Sequence, residues 1–218
     1  MRREHKSQQS GPAIPEPYHW FPLTENANDV MGNWSGWGII GSGNTYTSDG
    51  LFFNGTNSSL YKRNSNESNS LYVTTSVKIK LTELQSSGVY GVMRVSFGGT
   101  NFFTWDYPPD WSHVNDKITF GTLNMVATTT YNDIRVTAGD WFTLTSVQDF
   151  ANNQTWSYIN GVKYLYFNRC ISQSLSQQEF MVGYIYNNGS PIRYLKNAYL
   201  KDLRVWNTIL TDEQIAAL

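Results

Sequence analysis

Val73-Thr74-Thr75-Ser76-Val77-Lys78-Ile79-Lys80-Leu81 decides the fold class. A period of two sets Val73, Val77, Ile79 and Leu81 on one face and Thr74, Ser76, Lys78 and Lys80 on the other, which marks a half-buried strand. Outward from it, Trp156-Ser157-Tyr158-Ile159 and Val162-Lys163-Tyr164-Leu165 flank Asn160-Gly161. That dipeptide takes the positive φ values of a type I′ turn, so the spacing predicts a β-hairpin. Further strands are expected over 51–53, 89–97, 117–120, 141–148, 180–186 and 198–206. Short alternating runs separated by Gly and Asn suit two packed antiparallel sheets.

Composition agrees. Aromatic residues make up 15% of the 218, and much of the rest is Asn, Ser, Thr and Gly, as in folded all-β chains. With 17 acidic and 16 basic side chains, the basic excess is too small for a nucleic-acid binder that works by neutralising phosphates. The lone cysteine, Cys170, cannot form an internal disulfide and reads as a small packing residue. No apolar stretch follows the charges of Met1-Arg2-Arg3-Glu4-His5-Lys6, and no run approaches the roughly 20 residues of a membrane-spanning helix. The expectation is a chain made in the cytoplasm without a signal peptide and without membrane insertion. The Asn-x-Ser/Thr sites at Asn33, Asn54, Asn57, Asn66, Asn153 and Asn188 read as turn chemistry.

Residues 1–17 carry Pro12, Pro15 and Pro17, which favour an extended arm over a regular helix or central strand. The arm is a candidate docking segment for other proteins of a larger assembly, and residues 18–218 read as a single domain. At the carboxyl end, Thr211 and Gln214 are spaced as a capping box, with Leu210 and Ile215 as a hydrophobic staple. A short terminal helical turn is therefore expected to lean on the sandwich.

In this order the pieces resemble the laminin-G-like division of the concanavalin A-like lectin/glucanase superfamily. His19-Trp20-Phe21-Pro22-Leu23 with Asp29-Val30-Met31-Gly32-Asn33 is similar to that division's first strand and Asp-x-x-Gly-Asn loop. Leu51-Phe52-Phe53-Asn54-Gly55-Thr56 resembles its Phe-Asp-Gly-Ser turn, and Trp141-Phe142-Thr143-Leu144-Thr145 with Tyr158-Ile159-Asn160-Gly161-Val162 resembles its paired strands. Leu200-Lys201-Asp202-Leu203-Arg204-Val205-Trp206-Asn207 running into Leu210-Thr211-Asp212-Glu213-Gln214-Ile215 resembles the closing strand and terminal turn. The resemblance implies an antiparallel β-sandwich jelly roll over about residues 18–218. Function is not implied, because the superfamily hosts lectins, adhesion modules, hydrolases and structural domains.

A glycosidase needs two carboxylates flanking the sugar bond, and the superfamily's Glu-x-Asp-x-x-Glu motif is missing here. His5, His19 and His113 read as surface or hydrogen-bonded residues, so no catalytic residue is assigned. The suggestive stretch is Phe103 to Asp116, read as a proline-stiffened loop. Trp105, Tyr107 and Trp111 can stack on sugar C–H faces while Asp110 and Asn115 bond hydroxyls; the competing reading is a satellite core under the loop. Trp34 and Trp37, in a Gly-rich loop, either extend that platform or plug one end of the sandwich. The resemblance also implies a structural calcium near Asp29 and Asp202, although Lys201 stands where a second acidic residue is common.

The expected function is a non-catalytic interaction module on a virion or extracellular surface, such as a bacteriophage decoration or fibre protein, meeting a glycan or cell-surface receptor. The competing expectations are a structural assembly-stabilising protein that binds no sugar, and a glycoside hydrolase.

Overall fold

The computed structural model describes residues 11–34, 36–40, 44–56, 59–65, 70–83, 90–97, 101–107, 117–121, 134–135, 137–167, 178–187 and 190–218, in several strands by backbone only. The chain begins with β1 (His19–Phe21), β2 (Gly38–Ile40), β3 (Asn44–Thr47), β4 (Gly50–Asn54), β5 (Ser59–Ser65) and β6 (Tyr72–Leu81). It continues through β7 (Tyr90–Phe97), β8 (Asn101–Tyr107), β9 (Lys117–Gly121), β10 (Ile134–Arg135), β11 (Trp141–Asp149) and β12 (Gln154–Ile159). Then come β13 (Val162–Phe167), β14 (Gln178–Val182), β15 (Tyr184–Asn187), β16 (Ser190–Tyr194), β17 (Lys196–Trp206) and the short helix α1 (Asp212–Ala216).

The first sheet runs β13-β12-β11-β6-β17-β4-β3 with β1 beside β17, the second runs β10-β9-β8-β7-β14-β5-β2, and β15 pairs with β16. The pairings are antiparallel. The alternation read in β6 holds: Val73, Val77, Ile79 and Leu81 are buried, while Lys78 and Lys80 face outward. Leu51, Phe53, Ile79 and Leu144 of the first sheet meet Leu60, Phe180 and Val182 of the second in a single core. This is an antiparallel β-sandwich jelly roll. Burying the sheets' apolar faces against each other is its main stabilisation.

Two backbone devices position the outer face of the first sheet. Strand β17 pairs with β4 over Ala198, Tyr199 and Leu200, and with β1 over Leu203, Arg204 and Val205. Between these segments its register against β6 slips, Asp202 adopts φ 56°, and its N–H donates to the Pro22 carbonyl at 3.1 Å. The extra residue keeps Leu203 and Val205 inward while Lys201 and Arg204 both point out. At the predicted hairpin, Asn160 and Gly161 have φ of 47° and 77°, and the Asn160 side-chain oxygen accepts from the Thr143 N–H at 2.8 Å. A Cβ on Gly161 would lie 2.6 Å from Ala216 Cα, so this turn fits against α1 only as glycine.

Two expectations change. The strand read over 180–186 breaks at Gly183, whose φ is 86° and where a Cβ would stand 2.2 Å from the Phe53 ring. It becomes β14 and β15. Phe103 to Tyr107, read as loop, belongs to β8, where Trp105 lies opposite Met93 of β7 and Phe120 of β9. The described part of the arm, residues 11–17, lies against its own domain. Trp206 Nε1 donates to the Pro15 carbonyl at 2.8 Å and Gln214 Nε2 to the Ala13 carbonyl at 2.7 Å.

Ile14 packs there on a second cluster formed by Val147, Tyr158, Trp206, Leu210 and Ile215. This cluster covers one half of the outer face of the first sheet. The expected capping box holds it in place: Thr211 accepts from the Gln214 N–H, and Gln214 Oε1 accepts from the Thr211 N–H.

Candidate functional site

The other half of that face carries a row of large side chains in direct register. Trp141 of β11 stands opposite Lys80 of β6, Lys80 opposite Tyr199 of β17, and Tyr199 opposite Phe52 of β4. Each is at an outward position of its strand and half-buried, so ring surface is open to solvent. The Phe52 and Tyr199 rings lie 4.8 Å apart at 45°. Lys80 Nζ sits 5.1 Å from the Trp141 ring centre and 4.8 Å from that of Tyr199, and Lys201 Nζ sits 3.9 Å from that of Trp141. The ring quadrupoles attract these ammonium groups, and the lysine stems lie along apolar surface.

Charge on this face is unevenly compensated. Lys80 pairs with Asp49 at 2.7 Å, and the hydrogen bond and charge of Lys80 hold that carboxyl below its ordinary range. Asp202 accepts from Arg204 Nε at 2.8 Å and from Trp20 Nε1 at 2.8 Å, with Lys78 Nζ at 3.5 Å; Arg204 also stacks on the Trp20 ring at 4.8 Å. Lys201 has no carboxylate in ion-pair reach among the described residues. Four cations, Lys78, Lys80, Lys201 and Arg204, thus stand beside two carboxylates. Glu83 and Asp140 sit in the turns flanking the face, where Glu83 accepts from Asn197.

The residues singled out from the sequence are distributed differently. Trp34 and Trp37 act as the plug: their rings are 4.6 Å apart and pack on Phe21, with Trp34 also edge-on to Phe180. Trp105 and Tyr107 lie on β8, whereas Asp110, Trp111, Asn115 and His113 fall outside the described residues. Asp29 is an internal brace. Its Oδ1 accepts from the N–H of Trp20 (2.8 Å) and Met31 (3.0 Å), while Oδ2 accepts from the Asn33 N–H (3.1 Å) and from His19 Nδ1 (2.8 Å). All the lone-pair directions of this carboxylate are therefore used inside the chain. Asp202 Oδ1 accepts two hydrogen bonds and its Oδ2 faces Lys78, and the described residues contain no cluster of three His, Cys, Asp or Glu.

A cleft of about 370 Å³ lies between the arm and the end of β17, lined by Glu16, Tyr18, Met31, Asn33 and Asn207 among others. It presents a single carboxylate, Glu16.

No protein-family model matches the chain, and no curated protein matches it in sequence. Solved structures do match in shape. Domain 4 of AbnA, a GH43 extracellular arabinanase from Geobacillus stearothermophilus determined with arabinotriose, superposes with a TM-score of 0.64 at 17% identity over 93% of this chain and 97% of that one. A Trypanosoma rangeli sialidase determined with 2,3-difluorosialic acid gives 0.68 at 14% identity, covering 94% of this chain and 33% of that one. A pentraxin from Limulus polyphemus gives 0.50 at 16% identity, over 67% and 69%. The likeness in shape agrees with the antiparallel β-sandwich jelly roll described above. The chain spans about the whole of the arabinanase domain but only a third of the sialidase.

Trp141, Tyr199, Phe52, Lys80 and Lys201 were not singled out as a site from the sequence. Each sits in an expected strand, but the residues brought together are as much as 149 positions apart (201 minus 52). The available signal was the pair of lysines on the polar face of β6.

Proposed function

We propose that the protein is a non-catalytic glycan-binding module of laminin-G-like type, whose binding surface is the open half of the outer face of the first sheet. The observation carrying this reading is the registered row of Trp141, Tyr199 and Phe52. Flat rings side by side on a rigid sheet match the C–H faces of sugars, and their low side-chain entropy keeps the cost of binding small. A neighbour of the same fold, the arabinanase domain, was determined in complex with arabinotriose, which supports the class of ligand.

Display on a larger particle such as a phage virion belongs to the same proposal and draws on the polar, low-charge composition. The residues singled out from the sequence, Trp105, Tyr107, Asp110, Trp111 and Asn115, are the competing location for binding. A glycan array with the whole chain tests the reading, with Trp141→Ala, Tyr199→Ala and Trp105→Ala variants beside it. Signals lost only in Trp141→Ala and Tyr199→Ala are expected. Silence across the array, or release of reducing sugar from a polysaccharide panel, overturns the proposal.

A further inference from the structure

The charge on the aromatic face selects among sugars. Resting on the glycan-binding reading, we infer that the face formed by β11, β6, β17 and β4 takes an anionic sugar chain, one whose pyranose units carry carboxylate or sulfate groups.

The argument starts with Lys201. Its ammonium and that of Lys80 both lie against the Trp141 ring, at 3.9 and 5.1 Å from the ring centre. Lys80 pairs directly with Asp49, a carboxylate that is itself 55% exposed, whereas Lys201 has no carboxylate within ion-pair distance among the described residues and acts on Asp49 only through its charge. An incoming anion beside Lys201 gains a charge-assisted hydrogen bond from an ammonium that has no direct ion pair. Lys78 and Arg204 repeat the arrangement farther along β6 and β17, where both share Asp202.

Within the face four cations stand beside two carboxylates, with Glu83 and Asp140 in the flanking turns, so the cations are concentrated along β6 and β17 and the acids toward the rim. The aromatic rings decide the kind of anion. From Trp141 to Phe52 the row crosses three strand spacings, about 14 Å, an extended track suited to consecutive sugar rings rather than to an isolated ion. Where the same sheet needs no access, its outer face is sealed by α1 and the arm around Val147, Tyr158 and Trp206. The cationic half has no such cover among the described residues.

The test measures binding of the full chain to two polymer pairs: polygalacturonate against the same polymer fully methyl-esterified, and dextran sulfate against dextran. A panel of neutral polysaccharides including arabinan runs beside them. Binding to at least one charged member over its neutral partner is expected, falling roughly tenfold or more when salt is raised so that the Debye length drops from about 10 to 3 Å. Preference for polygalacturonate identifies the carboxylate, and preference for dextran sulfate the sulfate. Lys201→Gln, at a half-exposed position, should weaken that binding by about fivefold without moving the melting temperature, as expected for loss of one partly exposed charge pair.

Equal binding of charged and neutral partners, or unchanged binding by Lys201→Gln and Lys80→Gln, overturns the inference and leaves the glycan reading standing. Retention of dextran sulfate by Trp141→Ala and Tyr199→Ala at wild-type strength marks simple ion exchange and also overturns it. Silence on every polymer, charged and neutral, removes both.

Discussion

The indole N–H of Trp206 donates a 2.8 Å hydrogen bond to the carbonyl of Pro15, tying the last turn of β17 to a segment 191 positions earlier. Trp206→Phe keeps most of the buried ring and deletes the donor, so a loss of about 1 kcal/mol is expected in urea unfolding. Removing residues 1–17 also strips Ile14 from the second cluster and the Ala13 carbonyl from Gln214, for a loss of about 2 kcal/mol or more. Removing only residues 1–10 leaves these contacts in place and should cost less.

Gly161→Ala places a methyl group 2.6 Å from Ala216 Cα at a residue whose φ is 77°. Strain and overlap together predict a loss of about 2 kcal/mol or more in denaturant unfolding. The terminal helix should be the part displaced, read as faster proteolysis near Leu218. Normal stability in Gly161→Ala would count against the packing of the hairpin on α1.

Asp212 and Tyr158 give opposite pH dependences at the same junction. The hydrogen bond from Lys163, with that from Tyr158, holds the Asp212 carboxyl below its ordinary range. Its stabilisation is present above the unfolded value near 3.9 and is lost as pH falls through the folded value. Burial first, then the hydrogen bond and charge of Asp212, push the Tyr158 phenol up. The unfolded chain then loses its proton first, so stability falls as pH rises past about 10. Asp212→Asn should flatten the acid limb and Tyr158→Phe the alkaline one in pH-dependent melting curves.

Asp29→Asn replaces a carboxylate with four neighbouring donors by an amide that must turn an N–H₂ group toward one of them. A loss of about 3 kcal/mol or more is expected, since a buried charged network is broken from one side. Because the four lone-pair directions of Asp29 are used within the chain, added calcium should not act through Asp29. Melting curves of wild type and Asp29→Asn, with calcium and with a chelator, check this. A calcium-dependent rise of several degrees in both would place oxygen ligands elsewhere in the chain.

Asp49→Asn frees Lys80 from its carboxylate. Affinity for the preferred anionic polymer should rise, by up to about fivefold at low salt and less at high salt. Titration calorimetry at two ionic strengths checks this.

What the sequence disclosed was the part governed by near neighbours along the chain. Alternation in β6, the Asn160-Gly161 turn and the Thr211–Gln214 capping box each depend on residues a few positions apart, and each forms as expected. Gly183 looked like an ordinary strand residue because its break is imposed by Phe53, 130 positions earlier (183 minus 53). The same limit hid the candidate site. Trp141 was read correctly as the start of a strand, but its closeness to Lys80 and Lys201 depends on strand order and on the Asp202 bulge, neither of which has a local signature. Trp34 and Trp37 attracted attention as loop aromatics, yet the space around Phe21 and Phe180 turns them inward.

The Ala13–Gln214 and Pro15–Trp206 contacts bring the two ends of the folded unit to one corner. A polypeptide entering and leaving there needs little spacer, so the module can be inserted into a surface loop of a carrier, or recircularised and reopened at another turn, with its β-sheets undisturbed. Grafted this way it would project from its host like a paddle on a short double-stranded handle.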